Sequence, residues 1–406
     1  MSNFVERDRE QAFLLPPDLR DWVPEDDLAH FVIEAVERVD LGAFKVDHRG
    51  TGSAQYHPRM MLALLIYCYA NGIFSSRRIE RATHRDIGVR FVAANRHPDH
   101  DTIARFRREN FAAVSESFLQ VLLLARELRL LRVGLVSVDG PRFAANASKH
   151  RSVTYERAGG LIGQLEGEIA ALLRRAEAER GAYEARLAAR EKRRGRAKGK
   201  RPKPPDETPG ASEQSKLSDP DSRLMRKSKS HEHRQAYNAQ AAVDAGGSQL
   251  IPSARVSQCA SDRNELVADV AAIPVALGRP ETVLADNGYA NGAEVAALEA
   301  SGIEVLVSTA AEGRRRTHDF RPARPAAPRE PRAEWLKTMA GKLASDESRA
   351  RYKLRRQTVE PVFGIVKAVL GFTGFSLCGL DKVTGEWDLV ALAYNCKRLH
   401  KLSLTA

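Results

Sequence analysis

Three acids in this 406-residue chain stand where a carboxylate is costly unless something answers its charge. Asp139 follows the largely apolar run from Val133 to Val138. Asp286 closes "VLAD" just before the turn "NGY", and Glu360 lies in "RRQTVEPVFG". A carboxylate at the end of a buried strand costs free energy unless a cation or hydrogen-bond donors meet it, so Asp139 needs a partner. Acids at the ends of adjacent strands, with a third on a helix packed over them, can converge on one point. That arrangement holds two divalent ions about 3.5–4 Å apart for phosphoryl transfer. Hard oxygen ligands suit Mg²⁺ or Mn²⁺, and Asp139 would then find its partner in a metal. Taken singly, each acid also has a plain reading: a strand-end Asp before Gly forms turns, and a helical Glu among arginines forms ion pairs. Their joint placement is what points to chemistry.

Arg356 and Lys367 stand four residues before and seven after Glu360, so in a continuous helix all three share one face. A cationic pair beside a metal-binding acid is suited to hold phosphate groups. Pro361 is expected to bend this helix or to place Glu360 near a helix start.

The elements that must position these groups follow from periodicity. From Leu135 onward the pattern is strand-like: "GLVSVDGPRFAAN", "RQAYNAQAAVDAG" and "SQLIPSARVSQ" predict three strands, and "DRNELVADVAAI" predicts a helix with Asp262 near its cap. The strand "ETVLAD", the helix "NGAEVAALEASG", the strand "IEVLVSTA" and a helix from about Ser348 complete an α/β order, a mixed sheet covered by helices. Between Glu25 and Leu131 the spacing is helical instead. Ser75 or Ser76 and Asp101 sit at N-cap positions, and Asn71-Gly72 ends a helix. This region resembles a compact helix-turn-helix-like domain whose helix after Asp101 presents Arg105, Arg107 and Arg108 as a phosphate-binding face.

One or two amphipathic helices over about Ala158–Ala189 carry Leu161, Leu165, Ile169, Leu172, Leu173, Tyr183 and Leu187. They lead into the basic run from Arg190 to Lys203, which its Pro and Gly keep from folding. The whole reads as an insertion between the first and second strands. A second basic, proline-rich loop spans Arg314–Arg332.

Composition narrows the partner. Lys and Arg total 64 against 52 Asp and Glu, a net charge of +12 that favours a polyanion, nucleic acid first. The hydrophobic content of 43% predicts a real core. The four cysteines, Cys68, Cys259, Cys378 and Cys396, lie far apart with no metal-site spacing, which suggests reduced thiols. The two histidines of "SHEHR" lack further ligands for zinc. No GxxxxGK[ST] loop indicates ATP hydrolysis. The start "MSNFVERDRE" lacks a signal-peptide core, and the longest apolar stretch, Met60–Ala70, is too short to span a bilayer and fits a buried helix. The expectation is a cytoplasmic protein, associated with the nucleoid.

The blocks "VDGPRFAANASKH", "SDPDSRLMRKSKSHEHRQAYNAQAAVD", "VLADNGYANGAEV" and "YKLRRQTVEPVFGIVK" together resemble the DDE transposases of bacterial insertion sequences. They are most similar to the branch with a helical amino-terminal module and a long basic insert, insertion-sequence group eleven-eighty-two. The resemblance implies an RNase H-like catalytic domain and assigns Asp139, Asp286 and Glu360 as the three catalytic, metal-binding acids. It implies two Mg²⁺ or Mn²⁺ ions, and DNA carrying terminal inverted repeats, together with target DNA, as partners. At least a homodimer on DNA follows from the need to cut two element ends in concert.

Related families carry a Y-x2-R-x3-E-x6-K pattern. Arg356 and Lys367 match it, whereas Tyr352 stands one residue early; all three are the expected DNA-phosphate residues of this helix. Pro141 stands where relatives commonly have Thr, and it removes a backbone N–H. "SDPDSRLM", with Asp219 and Asp221, is expected to be structural or to touch a DNA strand. The expected division is a helical domain over 1–131, a catalytic domain over 132–154 and 231–406, and the insertion over 155–230. Two rivals share parts of this reading: a structure-selective nuclease with the same acids, and a DNA-binding regulator that uses only the helical region and basic patches.

Overall fold

A computed structural model describes residues 18–46, 54–146, 155–192, 219–226, 233–309 and 333–405. Six helices come first: α1 (Leu28–Glu37), α2 (Pro58–Ala70), α3 (Ser76–Arg85), α4 (Ile87–Val92), α5 (His100–Glu109) and α6 (Phe111–Glu127). Two stretches that look like single helices by periodicity are each broken in two. Asp86 turns its carboxylate back onto the Val89 amide at 2.8 Å and so starts α4, and Asn110 separates α5 from α6. The cap of α5 is Asp99, which accepts from the Thr102 amide at 2.7 Å; Asp101, the expected cap, stands in the first turn. Asn71 and Gly72 end α2 as expected, with Gly72 at φ +76°. The apolar run Met61–Ala70 is buried throughout, and no helix among the described residues is long and apolar enough to cross a membrane.

The sheet then begins with β1 (Leu135–Asp139) and β2 (Arg142–Ala144). After the helix α7 (Tyr155–Lys192) come β3 (Arg223–Met225), β4 (Arg234–Asp244) and β5 (Ser253–Ser257), the short α8 (Leu266–Ala271), β6 (Thr282–Ala285), α9 (Gly292–Ala300) and β7 (Glu304–Val307). β4 is the long central strand. Along one edge it pairs antiparallel with β1 and β2, which lie in line in a common register interrupted only at Gly140-Pro141. The predicted first strand is therefore one line of pairing in two pieces. Along its other edge β4 pairs with β5 and β3. β6 pairs parallel to β1, and β7 parallel to β6. One antiparallel strand lies among parallel neighbours, with helices packed against them, and this is the RNase H-like arrangement that the resemblance implied.

Three helices close the chain: α10 (Glu334–Ala344), α11 (Asp346–Gly364) and α12 (Leu380–Ser403). α12 has no counterpart in the sequence reading, and it buries more residues than any other described helix. It lies against α2 and α6 on one side and β5 on the other. Trp387, fully buried, donates to the Gln240 carbonyl at 3.0 Å, and Asn395 bonds both the N–H and the C=O of Ile251 at 2.8 Å, as a neighbouring strand would. One hydrophobic core therefore runs from Val32 and Leu62 through Trp387 to Val136 and Val283. The change from helices to strands near Leu131 is real, but the core does not stop there.

The insertion enters between β2 and β3 as one helix, α7, whose Leu165, Ile169 and Leu173 are exposed. Asp219 and Asp221, ahead of β3, are structural. Asp219 accepts from Tyr237 Oη at 2.7 Å and from the Gly379 amide at 3.0 Å, and Asp221 accepts from the Leu380 amide at 2.9 Å, which pins the start of α12. The four cysteines are free thiols. The basic run beyond Lys192, the loop 314–332 and residues 230–232 of "SHEHR" lie outside the described residues.

Candidate active site

The carboxyl ends of parallel strands in an open sheet are where ligands gather. β1 and β6 are such a pair, in the register Ser137↔Leu284, and two further residues along each strand Asp139 comes beside Asp286. Each carboxylate is steadied by its own turn. The Gly140 amide donates to Asp139 Oδ1 at 2.8 Å, and the Gly288 amide donates to Asp286 Oδ1 at 2.7 Å. At either glycine a Cβ would force a neighbouring polar side chain to shift. A Cβ on Gly288 would stand 2.8 Å from Asp286 Oδ1, and one on Gly140 would stand 2.2 Å from Gln240 Nε2 and 2.6 Å from Asn238 Oδ1.

α11 crosses the sheet and brings Glu360. Its buried stripe is Arg355, Thr358, Val359 and Val362, and Thr358 Oγ1 meets Ser137 Oγ of β1 at 2.9 Å. Pro361 does not break this helix. A proline at 361 leaves the carbonyl of Gln357 without its helical donor, and the side chain of Gln249 supplies one at 2.8 Å. The helix then widens into a π turn over Ile365–Val369 that carries Lys367, whose ammonium sits 5.2 Å from the Phe143 ring centre.

Arg355 is the residue that sequence reasoning missed. Its side chain is 5% exposed, with Nη1 3.9 Å from Asp139 Oδ2 and Nη2 3.5 Å from Glu360 Oε1. It thus joins the first acid to the third and gives Asp139 a cationic neighbour from the chain itself. A signal for it existed, because Tyr352 and Arg355 stand at the Y-x2-R spacing and position 355 falls on the apolar stripe of the helix. Tyr352 packs by Ala245, Leu284 and Leu306, about 12 Å along the helix axis from Glu360. The structure does not bring it to the acids. Arg356 is exposed on the same helix face as Glu360.

Burial, and then the like charge of Asp286, push the Asp139 carboxyl up to about 6, against the lowering influence of Arg355 and the Gly140 amide. A fourth acid, outside the expected set of three, stands near. Asp262, expected to cap a helix, instead accepts from Asn238 Nδ2 at 2.6 Å and Gln240 Nε2 at 2.9 Å, and Arg142 lies 3.5 Å away. Gln240 in turn accepts from the buried Tyr289 hydroxyl.

Among the described residues no three His, Cys, Asp or Glu side chains are drawn together closely enough to enclose a metal ion. The donor chemistry nevertheless suits a hard divalent cation: Asp139 and Asp286 lie at neighbouring strand ends, where the charge of Asp286 raises the Asp139 carboxyl, and Arg355 links Asp139 to Glu360.

The expected phosphate residues of α5 divide. Arg105 and Arg108 are exposed, but Arg107 is buried and donates to Tyr69 Oη at 2.6 Å and to the Phe74 carbonyl at 3.1 Å. Arg107 is a brace for the turn after α2, and its guanidinium does not reach solvent where a phosphate could meet it.

Comparison with known families finds two matched stretches. A model described as Transposase domain (DUF772) covers residues 17–109, the region of α1 to α5. One described as Transposase DDE domain covers residues 179–396, more than half of the chain. No curated protein and no solved structure matches the chain. The longer match contains Asp286 and Glu360, while Asp139 falls between the two stretches and is joined to the other acids by strand register and by Arg355. An RNase H-like sheet with acids at its strand ends, matched over this span, makes the chain a DNA transposase, and it belongs to the metal-dependent DDE transposase family.

Proposed function

We propose that Asp139, Asp286 and Glu360 are the catalytic acids of this transposase, which cuts the ends of its mobile element and joins the 3′ ends to target DNA. The observation that carries this reading is the β1–β6 register, which lays Asp139 beside Asp286 under the helix that bears Glu360. Asp139 and Asp286 would hold Mg²⁺ or Mn²⁺, with Glu360 completing the set. Two such ions, when bound, supply activation of the attacking oxygen and stabilisation of the leaving oxygen.

The protein's own groups prepare the site. The Gly140 and Gly288 amides each fix one carboxylate oxygen. Arg355 draws Asp139 and Glu360 toward each other and offsets their repulsion. Arg356 and Lys367 flank Glu360 along α11 and its π turn and are placed to grip DNA phosphates beside the scissile bond. The helical region over α1 to α6 would recognise the terminal inverted repeats, and a homodimer on DNA would let the two ends be cut together. Action on chromosomal DNA places the protein at the nucleoid.

The test is Mn²⁺- or Mg²⁺-dependent cleavage and joining of DNA carrying the element's ends, with wild type beside Asp286→Ala. Cleavage and strand transfer that both vanish in the variant are expected. Cleavage without joining would point to a nuclease, and DNA binding unaffected by every acid substitution, without cleavage, would point to a regulator.

A further inference from the structure

α3 carries the most concentrated exposed basic surface of the amino-terminal region. Ile79, Ala82 and Thr83 face inward, and Arg77, Arg78, Arg81, His84 and Arg85 face outward. Positions i, i+1, i+4 and i+8 fall within about 100° of one another around a helix, so the four arginines form a single stripe about 12 Å long. The acids nearest in sequence are already engaged. Glu80 holds His100 at 2.8 Å, and Asp86 caps α4. None of the four arginines makes an ion pair among the described residues.

The anchoring of α3 is equally specific. The turn before it carries Gly72 at φ +76°, where a Cβ would stand 2.7 Å from the Leu370 carbonyl. Phe74 packs edge-on to Phe372 with ring centres 5.4 Å apart, and Arg107 of α5 holds the Phe74 carbonyl. α3 therefore starts against the residues that directly follow the π turn bearing Lys367. α5, where the sequence placed the phosphate contacts, supports this turn from behind.

We propose that the arginine face of α3 is the surface that holds, by its phosphates, the duplex DNA leading away from the cleavage site. A stripe of about 12 Å is long enough to meet several phosphates of a duplex, which carries one charge per roughly 1.7 Å of its axis over the two strands. The track runs from Arg356 and Lys367, across the packed Leu370–Phe372 segment, onto Arg77 and along α3 to Arg85. Only the direction of this track rests on the proposed catalytic site; phosphate binding by α3 stands apart from the acids.

The experiment uses the full chain in Ca²⁺ buffer and a labelled duplex carrying the element's end, beside an unrelated duplex. The combined variant Arg77→Gln/Arg78→Gln/Arg81→Gln/Arg85→Gln is expected to bind both duplexes at least tenfold more weakly at about 0.1 M salt. Its log–log salt slope should be shallower by about 3 to 4, since each phosphate contact contributes roughly 0.9. The matching Arg→Lys quadruple variant should keep the wild-type slope, which separates lost charge from a damaged fold.

An unchanged slope in the Gln variant, or a loss confined to the element-end duplex, would overturn the proposal. If Asp286→Ala cleaved as well as wild type, the catalytic assignment would fail while the α3 result stood.

Discussion

Asp139 shows how far a single residue can be read. Its position at the end of an apolar strand demanded a partner, and a metal was the expected answer. In the fold the same demand is met in part by Arg355 and the Gly140 amide. The sequence pointed to Arg356 because one family spacing selects it, but adjacent helical residues point about 100° apart and only one of the two can face the sheet. The apolar positions Val359 and Val362 decide in favour of Arg355. If Arg355 is the counter-ion of two acids, Arg355→Gln should destabilise the metal-free protein by about 1–3 kcal/mol, since it leaves the half-buried Asp139 without its cationic neighbour. Urea unfolding with and without Mn²⁺ checks this. The variant should recover more stability from the ion than wild type does, whereas an equal response would mean that Arg355 packs without offsetting charge.

At the scale of elements, amphipathic helices and alternating strands were legible, and a helix buried on both sides was not. α12 presents Val383, Trp387, Leu389, Val390, Leu392 and Leu399 around its whole circumference and buries Glu386, Asp388 and Asn395 with them, so it has no polar face to give it a period. Its packing against α6 is close enough to reverse an ordinary rule. Gly→Ala inside a helix normally stabilises by about 1 kcal/mol, but a Cβ on Gly385 would stand 2.2 Å from Phe111 Cδ1 and 2.8 Å from its Cβ. Gly385→Ala should therefore destabilise, by about 1–2 kcal/mol net, as read from denaturant midpoints.

The same interface has a pH signature. Burial raises the Asp388 carboxyl to about 6, against the lowering influence of its hydrogen bond from Ser115. A carboxyl raised in the folded state contributes stability below its unfolded value near 3.8 and loses that contribution as pH rises through about 6. Asp388→Asn should flatten the fall in melting temperature between about pH 4 and pH 6.5. An unaltered profile would assign that fall to other groups.

Over the whole molecule, the order of strands and helices was enough to indicate an α/β layer, and the resemblance gave its RNase H-like form. The continuity of the core was not visible, because it depends on α12 returning from the end of the chain to α2 and α6 at its beginning. The helices over α1 to α6 and the catalytic sheet should consequently unfold in one transition. α7 stands apart from this core. Its Leu165, Ile169 and Leu173 are exposed, its charges pair along its own length as in Arg175–Glu179 and Arg180–Glu184, and it has no substantial packing partner among the described elements. Such a helix adds little to the cooperative fold, while the chain that follows it supplies seven Lys and Arg between Arg193 and Lys203. Removing Ala158–Gly210 should leave the melting temperature within about 2 °C of wild type, since α7 has no substantial core partner among the described residues, and should weaken DNA binding with a shallower salt dependence. A drop of about 8 °C or more would mean that α7 is part of the cooperative unit, and an unchanged salt slope would leave the grip on DNA to α3 and α11.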